Sequence, residues 1–277
     1  MAPLQRRSFV TPCLRGADPM PRLMLIPAAL AAIAALVYLA LCIALFALQR
    51  SLIYFPQAGS AAPGTSQLVL AVDDALLRIT TSSAKPGSGA VIYFGGNAED
   101  VSLSLPLLRA AFPDDALYLL HYRGYGGSTG KPSEAALVAD AIVLFDAVHA
   151  AHRKVVVVGR SLGSGVAVHL ASQRPVQRLV LVTPYDSLQN LAAGQFPYFP
   201  VRWLLRDKFE SWRYVAGITA PASIIAAEND EVIPKASTES LYRRFPAGAA
   251  TLRVVRGAGH NTISGHAEYL PLLRGTP

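Results

Sequence analysis

The sequence predicts an α/β fold: a mostly parallel eight-stranded sheet with helices on both faces, preceded by an N-terminal transmembrane helix. Three observations predict it. Short apolar, β-branched runs alternate with helical stretches from residue 67 onward, an order that gives parallel strands joined by crossover helices. Runs such as Val155-Val156-Val157-Val158 lack polar alternation, as strands covered on both faces require. Ahead of them, no charged residue lies between Arg22 and Arg50.

Residues 1–22 read as a cytoplasmic tail. Arg6, Arg7, Arg15 and Arg22 against Asp18 place +3 of the chain's net +7 before residue 23. Only Arg50 flanks the apolar run on its far side, so the positive-inside rule puts the N-terminus in the cytoplasm and the rest of the chain outside it, on the periplasmic face of the inner membrane in a Gram-negative cell. Residues 23–48 exceed the roughly 20 needed to cross a bilayer core, and Pro27 lies near the start, where a missing N–H costs least. A cleaved signal peptide would have an apolar region of roughly 7–15 residues and an A-x-A-like site. This run is longer and ends in Phe46-Ala47-Leu48-Gln49, which favours a retained anchor. Arg6-Arg7-Ser8-Phe9 resembles a twin-arginine export signal, but the apolar run starts only at residue 23. Met20 and Met24 are alternative starts, and either would remove part of the tail's charge. Residues 49–65 read as a linker rich in Pro, Gly, Ser and Ala, with Leu52-Ile53-Tyr54-Phe55 suited to a membrane interface.

Residues 66–277 read as one domain without repeats or low-complexity tracts. Strands are expected at 67–72, 76–81, 90–94, 116–121, 155–159, 179–183, 222–227 and 251–255. Helices are expected near 101–111, 134–152, 162–173, 237–245 and, more weakly, 266–273. The first two strands, joined by Asp73-Asp74-Ala75, form an antiparallel hairpin. A hydrophobic content of 52% excludes disorder, and Cys13 and Cys42 cannot build a disulfide framework or a four-ligand zinc site. The charge beyond the tail is spread thinly, with no basic run to track a phosphate backbone, which argues against nucleic acid as a partner.

Function gathers at the carboxyl ends of parallel strands. There, Gly159-Arg160-Ser161-Leu162-Gly163 follows a buried strand and opens a helix, the context of a G-x-S-x-G nucleophile elbow. Gly159, Gly163 and Gly165 also resemble the phosphate loop of short-chain dehydrogenases. That reading needs the loop early in the domain and a Tyr-x-x-x-Lys pair, and none of the eleven tyrosines has lysine four residues on. A serine needs a base, and the base needs a carboxylate. His260 follows the last strand on the Gly-rich loop Arg256-Gly257-Ala258-Gly259, and Asp230 follows the strand before. Ser161, Asp230 and His260 stand in the chain order of an α/β-hydrolase triad. Asp186, Glu228 and Glu231 are alternative acids. Among the other histidines, His149 and His152 fit a solvated helix face, His169 a packing position, His121 a local loop contact and His266 an exposed one. No set of them makes a metal site. The oxyanion donors are expected at the backbone N–H of Leu162 and of Asn97, with Gly96 second. A plain turn before a helix is the bland reading of that second loop.

At these residues the chain resembles membrane-anchored α/β-hydrolase-domain proteins of the serine-aminopeptidase-like branch, which also holds eukaryotic protein depalmitoylases and monoacyl-lipid hydrolases. The matching pieces are Tyr93-Phe94-Gly95-Gly96-Asn97-Ala98-Glu99-Asp100, His121-Tyr122-Arg123-Gly124-Tyr125-Gly126-Gly127-Ser128 with Lys131-Pro132-Ser133-Glu134, the elbow, Thr183-Pro184-Tyr185-Asp186-Ser187, residues 230–234 and Gly259-His260. The resemblance implies the α/β-hydrolase fold and the same triad and oxyanion positions. The family often has His where Gly95 stands and Asp where His121 stands, and neither belongs to the expected machinery. Residues 188–217 read as a small cap insertion. Its Phe196, Tyr198, Phe199, Trp203, Phe209, Trp212 and Tyr214 either line an acyl pocket or touch the bilayer, or else pack into the core; its arginines and Lys208 suit anionic lipid or plain solvent. The expected activity is serine hydrolysis of an ester or thioester through an acyl-enzyme, on a small-molecule or lipid-like acyl substrate, with no cofactor or metal. A peptidase or amidase, and a non-catalytic membrane scaffold, are the alternatives.

Overall fold

The computed structural model describes residues 20–60, 66–83 and 87–275, with side chains from residue 26 onward. Arg6-Arg7, Cys13 and most of the expected tail lie outside the described residues, as do positions 61–65 of the expected linker. The chain divides into two compact units, one ending at Leu45 and one beginning at Phe46.

Helix α1 (Met20–Ile53) is 34 residues long. Its stretch Ile26–Ile53 is long and apolar enough to cross a membrane, judged by length and composition. The helix runs past residue 48, so the first part of the expected linker is helical. The reason is local to the second unit. Gln49 Nε2 donates to Phe46 O at 2.8 Å and Leu204 O at 3.2 Å, while its Oε1 accepts from Arg206 N at 2.7 Å. Arg50 Nε donates to Asp207 at 2.9 Å, and Tyr54 OH donates to the same carboxylate at 3.1 Å. These partners keep the last turns wound until Pro56, whose ring disfavours helix in the residue before it. Tyr54 is therefore buried rather than interfacial, whereas Phe55 is exposed.

The sheet order is β1 (Ser66–Val72), β2 (Ala75–Ser82), β4 (Ala116–Leu120), β3 (Ala90–Phe94), β5 (Val155–Arg160), β6 (Arg178–Val182), β7 (Ala222–Ala227) and β8 (Ala250–Val255). The β1–β2 and β2–β4 pairs are antiparallel, and all later pairs are parallel. Period-two alternation divides each central strand between two cores. Ala90, Ile92 and Phe94 of β3 join the core under α3 (Glu134–Ala151) and α4 (Leu162–Ala171). Val91 and Tyr93 face the opposite core, covered by α2 (Leu105–Ala111) and α8 (Tyr269–Arg274). The helix expected at 101–111 begins as a 3-10 turn, Val101–Ser104, and the weak C-terminal one starts only at Tyr269. The insertion folds as α5 (Leu188–Gln195) and α6 (Val201–Leu204); α7 (Lys235–Tyr242) lies between β7 and β8.

A buried ion pair ties the turn after β4 to α3. Arg123 meets Asp140 through two hydrogen bonds of 2.8 and 2.9 Å, with both side chains buried, and also reaches Asp74. Removing one partner strands a charge, which typically costs about 3–5 kcal/mol. Asp140→Ala is expected to lower the unfolding free energy by about 3 kcal/mol, read as a lower urea midpoint at unchanged slope.

Candidate active site

Ser161 sits between β5 and α4 with φ +49° and ψ −117°, a region that non-glycine residues rarely occupy. Its N–H donates to Val182 O at 2.9 Å, pinning the turn to β6. The two flanking glycines are required by contact. A Cβ on Gly159 would lie 2.5 Å from Gly163 O, and one on Gly163 would fall on the carbonyl oxygen of Phe94.

The three residues expected at the strand ends meet. His260 Nε2 lies 3.0 Å from Ser161 Oγ, and His260 Nδ1 lies 2.9 Å from both carboxylate oxygens of Asp230. An ionised carboxylate only accepts, so Nδ1 carries the proton and Nε2 offers its lone pair to the serine. Burial works to raise the Asp230 pKa, but hydrogen bonds from His260 and from the N–H groups of Ile233 and Val232 outweigh it and hold the carboxyl below its usual range. The alternative acids have other work. Asp186 accepts from Ser187 N, Asn190 Nδ2 and Ser237 Oγ. Glu231 accepts from His260 N at 2.9 Å and Glu228 from Gly257 N at 2.8 Å, so both hold the backbone of the histidine loop.

The loop after β3 lies against the serine: a Cβ on Gly96 would sit 3.6 Å from Ser161 Cβ. Gly96 N–H already donates to Glu99 Oε2 at 2.6 Å. The Asn97 side chain ties the end of α1 to its own loop, donating to Ile53 O at 2.6 Å and accepting from Phe55 N at 3.1 Å, and it also accepts from Tyr125 OH at 2.8 Å.

Sequence reasoning missed Glu99 and Arg160. Glu99 also accepts from Tyr93 OH and Ser104 Oγ, each at 2.7 Å, and pairs with Arg160 Nη1 at 2.9 Å. Arg160 Nη2 reaches His260 O and Asn261 Oδ1, each at 3.3 Å. One guanidinium thus joins the Gly96 loop to the His260 loop. Burial pushes the Glu99 pKa up, but Arg160 and the three hydrogen-bond donors pull it below the usual range. Its signal in sequence was an arginine inside the elbow with an acid in the loop after β3.

The other histidines are structural. His121 is 2% exposed, bonded to Thr80 Oγ1 at 2.9 Å, and burial lowers its pKa. His152 is not simply solvated, since it meets Tyr118 OH at 3.3 Å and Ser88 O at 3.2 Å. His149 stacks on Phe145 and His169 on Tyr214; His266 is half-buried. Among the described residues, no three His, Cys, Asp or Glu side chains are placed to hold a metal ion. The insertion's aromatics divide between the two expectations. Phe209 is buried and Tyr214 packs on His169, whereas Tyr198 and Trp203 are 86% and 88% exposed.

A family profile described as serine hydrolase matches residues 137–273. The chain is 36% identical over 248 residues to an uncharacterized protein of Mycobacterium tuberculosis, covering 83% of this chain and 86% of that one. It is 32% identical over 196 residues to alpha/beta hydrolase domain-containing protein 17C of Xenopus tropicalis, covering 68% and 62% respectively. Among solved structures, the Pyrococcus furiosus esterase Pf2001 superposes with TM-score 0.61 at 19% identity, over 76% of this chain and 92% of that one.

The Glu99–Arg160 pair makes a prediction with a definite sign. In the wild type, Glu99 contributes stability that is present above the unfolded carboxylate pKa of about 4 and is lost as pH falls through its depressed folded value. In Arg160→Met the uncompensated burial raises that pKa, so stability is lost as pH rises through it. The gap in unfolding free energy between the two proteins should therefore widen from about pH 4 to pH 7, reaching about 3 kcal/mol. Adding Glu99→Gln should flatten it.

Proposed function

Starting from a chain that belongs to the α/β-hydrolase family of serine hydrolases, we propose that it cleaves carboxylic esters or thioesters through an acyl-enzyme. The observation that carries the reading is the continuous hydrogen-bonded path from Ser161 Oγ through His260 to Asp230. Ser161 Oγ attacks the acyl carbonyl carbon while His260 Nε2 takes its proton. Asp230, kept ionised, holds the tautomer and stabilises the imidazolium. The N–H groups of Leu162 and Asn97 receive the oxyanion; we assign Asn97 over Gly96 because the Gly96 N–H is engaged by Glu99. Collapse breaks the bond to the alcohol or thiol, which leaves with the proton from His260. Water, deprotonated by the same nitrogen, then attacks the acyl-enzyme and releases the carboxylic acid.

In this reading α1 is a retained single-pass anchor with its N-terminus in the cytoplasm. Its length and composition support the span, and the arginine imbalance of the flanks supports the direction.

The test is labelling of detergent-solubilised full-length protein with a fluorophosphonate probe. The wild type should label, and Ser161→Ala and His260→Ala should not, with each still folded by circular dichroism. Asp230→Asn should keep the fold and lower kcat by about 10⁴-fold, since it presents the wrong tautomer to the base. Labelling that survives in Ser161→Ala would refute the assignment.

A further inference from the structure

We propose that the cap around α6 rests on the headgroup layer of the leaflet from which α1 emerges, and that the acyl group cleaved at Ser161 is drawn from that leaflet. This deepens the hydrolase reading and rests on α1 being a membrane anchor.

The apolar run of α1 ends at Leu48, so Gln49 is the first polar residue at the exit from the bilayer core. That side chain is hydrogen-bonded to Leu204 O and Arg206 N, at the C-terminal end of α6, and Asp207 receives Arg50 and Tyr54. The cap is thereby held at the level where the helix leaves the membrane. Beside that end of α6 the cap exposes Trp203, and in the turn leading into α6 it exposes Tyr198, although tryptophan is usually highly buried. Amphipathic rings of this kind collect at the membrane–water interface. Exposed Arg202 and Arg206 flank Trp203 in the chain, and the Arg206 guanidinium lies 4.6 Å over the Phe46 ring. Cations flanking aromatics at that depth match anionic lipid headgroups better than a protein surface, which would leave them to be desolvated.

The reaction centre is tied to the same stretch of chain. Asn97, in the loop beside Ser161, bonds Ile53 O in the last turn of α1 and Phe55 N just after it. Gln57 O accepts from Gly126 N and Ser60 N donates to Asp100, so the whole exit segment is laced to loops at the strand ends. A site built this way stands within a few residues of the lipid surface and suits an acyl chain anchored there.

The chain has two tryptophans, and Trp212 packs between Arg213 and Arg244, so Trp212→Phe leaves Trp203 as the reporter. The full-length protein is reconstituted in vesicles of phosphatidylcholine with phosphatidylglycerol, plain or brominated high in the acyl chain. Trp203 emission should fall about twofold or more with the brominated lipid, as for an indole at the headgroup boundary, and should be shielded from aqueous iodide. If Trp212→Phe misfolds, the difference between wild type and Trp203→Phe reads the same quantity. Quenching by iodide and not by bromine overturns the proposal. So does shielding from both, which would mark a surface covered by protein such as a second copy. In a second arm, Trp203→Ser with Tyr198→Ser should hydrolyse a water-soluble short-chain ester within about twofold of wild type and a vesicle-held acyl ester about tenfold more slowly; equal loss on both overturns the proposal. A wild type inactive on either substrate, with Trp203 still quenched by brominated lipid, would overturn the hydrolase reading and with it the leaflet-held acyl substrate, and leave the cap's seat on the headgroup layer standing, because the fluorescence arm needs no turnover.

Discussion

The close approach of α4 to the ends of β3 and β5 sets the rest of this structure. No side chain fits between them: both Gly159 and Gly163 face backbone that a Cβ would strike. With helix and strands in such contact, the connecting residue must turn in one step, and Ser161 accepts a positive φ to do so. Such strain persists only where neighbours over-determine it. Here Val182 O holds the serine N–H, and Ser164 Oγ donates to its carbonyl at 2.6 Å. The turn that results lifts the hydroxyl off the sheet and brings the β3 loop alongside it.

Around that turn, acids hold backbone rather than act on substrate. Glu99 receives Gly96 N–H, Glu231 receives His260 N–H and Glu228 receives Gly257 N–H. Arg160 closes the circuit, because its guanidinium touches the Glu99 carboxylate and the His260 carbonyl together. Ser161, the His260 loop and the Gly96 loop are therefore referenced to one another through a partly desolvated ion pair, whose strength depends on the low local dielectric. Positioning of this kind is what nucleophilic catalysis asks of a scaffold, since small misplacements are costly.

Much of the sheet was legible in sequence because its strands are buried on both faces. Val155 to Val158 carry no polar residue and Ala222 to Ala227 only Ser223, and their bounds match the expectation to within a residue. The elbow was legible too, because its glycines answer to a packing demand that few other structures make. The insertion was not. Its α5 and α6 contain no fully buried residue, so there is no apolar period to read. Tyr54 misled for a related reason: an aromatic beside an apolar helix looks interfacial, and only the distant Asp207 carboxylate draws it inward. Arg160 and Glu99 escaped notice because they are 61 residues apart in the chain, and pairing across that distance leaves no local pattern.

Asn97 is held by partners of both kinds. Its Oδ1 accepts from Phe55 N, Ala98 N and Tyr125 OH, while its Nδ2 donates to Ile53 O. Every partner on one side is a donor and the partner on the other is an acceptor, so the group between them must be both. Aspartate has the same shape, yet when ionised it would set an acceptor oxygen against the Ile53 carbonyl. Hydrolysis of this one amide, the change that slow deamidation makes in ageing proteins, would thus turn a tether into a repulsion at the point where the end of α1 meets the loop beside Ser161.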